Sequence, residues 1–178
     1  MQKPKPAAAP VVPDIAQMDI RVGKIVECWK HPDSDKLWCE KIDIGNGEIR
    51  EIASGLQQFV PLATMQGATV VVLCNLKAKK LGGFPSHGMV LCAETPTKDA
   101  VELLTPPEGT VPGDLITFAG QGRDPPAQLP PKDDKNPWFR VMPEMLVDGN
   151  GLAKWKEFTF ATEKGDCTAA TIRNGVIH

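Results

Sequence analysis

Residues 19–29 read DIRVGKIVECW, and the alternation in this stretch sets the fold class. Ile20, Val22, Val26 and Cys28 fall on one face, interrupted only by Lys24, which is the period of a half-buried β-strand. Working outward, the turn cluster HPDSDK at 31–36 ends this strand, and Leu37 to Ile44 supplies a second. Asn46-Gly47 is a favoured hairpin dipeptide and leads into a third short strand from Ile49 to Ala53. From Leu56 to Gln66 the alternation stops, and Pro61 restricts any helix there to a short one. TVVVLC at 69–74 is apolar on both faces, as suits a strand covered on each side, and Met89 to Ala93 is a fifth strand. Three strands, a short helical connection and two more strands predict a mainly β chain, a five-stranded barrel in OB-fold order.

Beyond the barrel, PPEGTVPGD at 106–114 is a rigid turn, Leu115 to Phe118 a short strand, and 120–135 a proline-rich loop. Trp138, Phe139, Trp155, Phe158 and Phe160 are the side chains expected to pack a C-terminal extension onto the barrel. The predicted organisation is a Pro/Ala-rich linker at 1–13, a barrel domain at 14–118 and an extension at 119–178.

Composition excludes several classes. At 178 residues, 42% apolar and 24% charged, the chain has the make-up of a soluble globular protein. No run approaches the roughly 18 to 20 apolar residues of a membrane helix. The N-terminal segment lacks the apolar core and cleavage site of a signal peptide. The five cysteines are scattered without a CxxC pair, and Cys28, Cys74 and Cys92 lie inside apolar runs. They fit small buried hydrophobes in a reducing, cytoplasmic setting rather than a disulfide frame or zinc site. A P-loop, HExxH and a nucleophile elbow are all missing, so neither an enzyme nor a cofactor is expected.

The net charge of −2 hides an uneven distribution. Residues 1–92 hold 11 Lys+Arg against 9 Asp+Glu, whereas 93–178 hold 9 against 13. The basic groups concentrate in NLKAKKLGGFPSHGM at 75–89, where Lys77, Lys79 and Lys80 adjoin a Gly-Gly-Phe-Pro loop between two strands. Three ammonium groups held by a rigid sheet make a phosphate grip; the competing reading is a solvated turn. Asn75 either contacts the same ligand or caps the turn. His31 and Lys36 lie in the loop between the first two strands, an edge that OB barrels use for ligands. Beside His31, Asp33 and Asp35 suit a turn held by aspartate hydrogen bonds better than a metal site. Arg21 and Lys24 extend the basic path along the first strand, and Trp29, Trp38 and Phe84 are candidates for base stacking, with at least one tryptophan left to the core.

The ordered set DIRVGKIVECWKHPDSDKL, IASGL, CNLKAKKLGGFPSHGMVLCA and LLTPPEGTVPGD closely resembles the tRNA-binding domain of the endothelial monocyte-activating polypeptide II family, over roughly residues 14 to 178. This module occurs as a free bacterial protein, at the C-terminus of some methionyl-tRNA synthetases, on animal tyrosyl-tRNA synthetases and on multisynthetase auxiliary proteins. The resemblance implies recognition of tRNA by shape, with an aminoacyl-tRNA synthetase as partner in cis or in trans. Ser86, His87 and Met89 lie where the family carries an S-x-G/A-M element near its tRNA surface, and Ser86 and His87 can donate to phosphate or a ribose hydroxyl. Gly82 stands where a basic residue is common. Residues from about 118 to 178 resemble the eukaryotic extension, which in the relatives mimics the dimer interface of the bacterial module and so implies a monomer. Two other readings stay open: a general single-strand binder of the OB type, and a cytokine-like or protein-interaction module centred on Arg21–Glu27.

Overall fold

The structure, a computed structural model, describes residues 11–178; most of the linker predicted at 1–13 lies outside the described residues. A 3-10 turn at Asp14–Gln17 precedes β1 (Ile20–Lys30), β2 (Trp38–Asp43) and β3 (Ile49–Ser54). The short helix α1 (Leu62–Met65) then leads to β4 (Thr69–Leu73), β5 (Lys79–Leu81), β6 (Phe84–Ser86), β7 (Met89–Val90), β8 (Cys92–Glu94) and β9 (Val101–Thr105). After α2 (Trp138–Val141) come β10 (Met145–Val147), β11 (Ala153–Trp155), β12 (Phe158–Thr159), β13 (Ala161–Thr162), β14 (Gly165–Asp166), β15 (Thr168–Ala169) and β16 (Val176–Ile177).

Five strands form an antiparallel sheet in the order β3-β2-β1-β4-β7. It curls until its ends meet. The His87 amide donates to the Glu51 carbonyl at 2.8 Å, and the Ala53 amide donates to Ser86 Oγ at 3.0 Å. The result is the mainly β, nearly closed barrel that the strand pattern predicts.

β1 corrects one sequence assignment. Its ladder to β2 jumps from Ile25↔Ile42 to Glu27↔Lys41, so Val26 is a bulge residue and is exposed. One extra residue reverses which parity points inward. Ile20 and Val22 therefore face an outer core, while Ile25 and Cys28 face the barrel interior with Trp38, Ile42, Ile52, Val70 and Val72. Gly23 lies where the interior is tightest: a Cβ there would stand 2.8 Å from Ile42 Cγ2.

The outer core explains the doubly apolar run at 69–74. Val70 and Val72 point into the barrel, whereas Val71 and Leu73 point outward against Trp138, Met145 and Phe160. The extension covers the barrel through short strands that the sequence pattern does not show. β10, β11, β12 and β16 join β8, β9 and β15 in a second sheet ordered β12-β11-β10-β16-β8-β9-β15. Phe118 packs edge-to-face on Phe160 at 4.9 Å and on Trp155 at 6.1 Å, an aromatic seam between the two parts of the chain. Trp138, Trp155 and Phe160 are buried as predicted, but Phe139 is exposed because α2 turns it outward. All five cysteines are buried free thiols, and burial pushes Cys28, Cys74, Cys92 and Cys167 up to about 12.

Candidate nucleic-acid interface

The basic loop is a β-hairpin. Lys79 pairs with Ser86, Lys80 with Pro85 and Leu81 with Phe84, and Gly82-Gly83 makes the two-residue turn with φ of 57° and 82°. Both glycines in the left-handed region are what a tight hairpin turn requires. The tip is docked on the end of β1. Phe84 packs edge-to-face on Trp29 at 5.8 Å, and a Cβ on Gly82 would come within 2.9 Å of His31 Nε2. Gly82 is thus packed against the His31 imidazole.

Alternation along β5 divides the lysines. Lys79 and Leu81 share one face and, with Lys77, line a groove of about 300 Å³; Lys80 projects from the opposite face. Lys77, Lys79 and Lys80 are exposed, and among the described residues none has a carboxylate within ion-pair distance. Lys36 is exposed in the β1–β2 loop beside the hairpin tip, as is Lys30 at the end of β1, a residue the sequence reading passes over. Its position directly after Trp29 at the close of an amphipathic strand is the signal that marks it.

Other predicted site residues prove to be structural. Asn75 is 2% exposed. Its Oδ1 accepts from the Asp19 amide at 3.1 Å, and its Nδ2 donates to the Gln17 and Pro126 carbonyls. Asn75 thus ties three chain segments together and has no donor left for RNA. Ser86 Oγ, also buried, accepts from Ala53 and donates to the Gly88 carbonyl, so it closes the barrel. His31 is buried with Nδ1 accepting the Asp33 amide at 3.0 Å, and Ser34 Oγ accepts the Lys36 amide. The imidazole and this hydroxyl, rather than the Asp33 and Asp35 carboxylates, hold the turn.

Arg21 is also committed. It makes a two-pronged pair with Asp19 at 2.9 and 2.8 Å, and Arg123 binds the same carboxylate. Burial pushes the Asp19 carboxyl up, but the hydrogen bonds and charges of Arg21 and Arg123 outweigh it and hold the group below its ordinary value. Lys24 is exposed mid-strand, opposite Asp43 and Thr69. It stands five residues, roughly 16 Å at strand rise, from the Trp29 end where the hairpin docks. His87 is exposed but lines a neighbouring cleft with Arg50, Glu48 and Glu51, on the far side of Leu76. Trp38 is buried, its Nε1 donating to the Val60 carbonyl at 2.9 Å, so it offers no stacking face.

Known proteins are similar to this chain in sequence and in fold. The family model described as "Putative tRNA binding domain" matches residues 20–115, from the start of β1 to the segment that bridges back to Arg21. The chain belongs to this family. The matched module is a binding domain, not a catalytic one. The chain is 41% identical over 178 residues to aminoacyl tRNA synthase complex-interacting multifunctional protein 1 of Cricetulus griseus, covering 99% of this chain and 48% of that protein. It thus spans about half the length of that curated relative. The crystal structure of the C-terminal domain of Plasmodium vivax p43 superposes with a TM-score of 0.86 at 37% identity, covering 93% of this chain and 99% of that one. A MetRS related protein from Pyrococcus horikoshii superposes with a TM-score of 0.55 at 30% identity, covering 58% of this chain and 94% of that one.

Proposed function

We propose that the domain holds tRNA for an aminoacyl-tRNA synthetase, carried either on the synthetase or on an auxiliary protein of a synthetase complex. One observation supports this above the others: unpaired lysines stand on a hairpin fixed at its tip by Trp29, Phe84 and His31. Lysine grips phosphate as a point charge without reading bases, which suits many tRNAs of one shape. Tethering tRNA in this way raises its concentration near a catalytic site without taking part in the chemistry. The contact set is Lys77, Lys79 and Lys80, joined by Lys36 and Lys30, with His87 at the margin.

The division into a linker at 1–13, a barrel at 14–118 and an extension at 119–178 belongs to the same reading. The extension buries the outer faces of β1 and β4, where an uncovered barrel would present Ile20, Val22, Val71 and Leu73. It stands in for a second copy, and the domain acts as a monomer. The shorter Pyrococcus horikoshii chain, matched over 58% of this one, is consistent with a barrel that does without this cover. Buried free thiols fit a cytoplasmic location. Among the described residues, no helix is long and apolar enough to cross a membrane.

Fluorescence anisotropy with folded tRNA at several salt concentrations tests the site. Changing Lys77, Lys79 and Lys80 together to Ala is expected to weaken binding about a hundredfold and to lower the salt slope by about 2 to 3. The loss should be alike for different tRNAs. Unchanged affinity in a variant that melts like the parent would remove the hairpin from the interface.

A further inference from the structure

We infer that the groove under the hairpin receives one unstacked base of the bound RNA while Lys77 and Lys79 hold the phosphates on either side of it. The inference rests on the tRNA-binding reading and specifies what the site recognises. Both lysines line this groove, and Leu56, Phe59, Leu81 and Met89 give it an apolar wall; Glu94 and His178 also line it, their side chains paired to each other at 2.6 Å. Phe59 keeps 43% of its surface exposed there, beside cations that would otherwise be expected to border polar surface. An aromatic ring next to ammonium groups is the pairing that single-stranded nucleotides use, with the ring for the base and the charge for the backbone. Folded RNA supplies such nucleotides at loops and bulges, where bases can be splayed out. Ser54 also lines the groove, but its Oγ is buried and faces the Glu40 carboxyl, so this hydroxyl is not presented to a base. Stacking on an aromatic ring reads the face of a base and not its edge, so the contact adds little discrimination. The site would therefore distinguish RNA with an extruded nucleotide from fully paired RNA, whatever that nucleotide is.

The test compares two RNA duplexes of equal length, one perfectly paired and one with a single-nucleotide bulge, titrated against the full chain. The bulged duplex is expected to bind about tenfold more tightly. Phe59→Ala should erase that preference while leaving affinity for the paired duplex and the melting temperature unchanged. Leu81→Ala, in the lining of the same groove, should act in the same direction. Equal binding of both duplexes by the parent chain, or a preference that survives Phe59→Ala and Leu81→Ala, would overturn the inference. These outcomes are separable from failure of the hairpin reading, which would show as tRNA affinity insensitive to Lys77, Lys79 and Lys80.

Discussion

The C-terminal extension occupies six of its eight Lys and Arg side chains, leaving Lys132 and Lys135, whereas the hairpin edge leaves all five of its lysines without a partner among the described residues. In the extension Arg140 binds Asp14 at 2.8 Å, Lys154 binds Asp148 at 3.1 Å, Lys164 binds Asp114 at 2.9 Å, and Arg123 binds Asp19. Lys156 sits over Trp155 at 4.9 Å, and Arg173 donates to the Ala169 and Ile172 carbonyls. At the hairpin edge Lys30, Lys36, Lys77, Lys79 and Lys80 have no such partner among the described residues. A cation already paired must give up its partner before it can bind a phosphate; an unpaired one keeps its whole field. Net charge cannot register this, which is why a chain of −2 can still present a polyanion site.

The barrel interior holds the reverse case, and the largest predicted effect lies there. Glu40 is fully buried between Cys28 and Ile52 in the ladder, with no cation or backbone amide on its carboxyl. Burial pushes its carboxyl up from 4.5 to about 8, and the neighbouring Ser54 hydroxyl draws it partly back. The folded value is raised, so the unfolded chain ionises first. Stability is then complete below about pH 4.5 and is lost as pH rises toward 8. Glu40→Gln removes this penalty and should stabilise the domain by about 3 kcal/mol at pH 7. Urea denaturation at pH 5 and pH 8 should show a falling wild-type stability and a nearly flat variant. Parallel curves would mean that Glu40 is not neutral in the folded barrel.

Asp19 is the paired counterpart and should respond with opposite sign. Its lowered carboxyl contributes stability above about pH 3.8, and that contribution disappears as acid protonates it. Asp19→Asn strands two partly buried guanidinium groups and should cost about 2 kcal/mol at pH 7. The difference should shrink as the pH falls below 3.8 through the lowered folded value, and the salt slope of tRNA binding should not move. A tRNA affinity that collapsed while stability held would place Arg21 in the interface after all.

How far the sequence discloses all this depends on whether a residue's role is local. The strands from 19 to 54 and the doubly apolar run at 69–74 are legible because period and burial are local properties. The bulge at Val26 is not, since one inserted residue leaves the apolar count unchanged and only reverses the parity. The seven short strands after residue 140 are too brief to show a period, and β15 and β16 pair with β9 and β8 rather than with a sequence neighbour. At the site, Lys77, Lys79 and Lys80 are visible as a cluster, and Lys36 as part of a turn. Asn75, Ser86 and His31 look like ligand-binding side chains because polar groups that satisfy backbone have the same chemistry as those that await a ligand. For Asn75 and Ser86 only partners 33 to 58 residues away reveal which they are, whereas His31 is taken up by the amide two residues on.

The smallest predicted effect tests whether pairing is the right criterion for sorting these charges. Lys164 and Asp114 form an exposed ion pair, with 41% and 26% of the side chains accessible. Solvent screens such a pair, so Lys164→Met should shift the melting temperature by no more than about 2 °C. It also deletes one cation from the surface, as each hairpin substitution does. If pairing decides, tRNA affinity and its salt slope stay where they were, whereas a single Lys79→Ala lowers the slope by about 0.7 to 0.9. If Lys164→Met weakens binding as much as Lys79→Ala, then tRNA responds to the total field of the domain. The hairpin would then be one basic patch among several, and its fixed geometry would count for less than its charge.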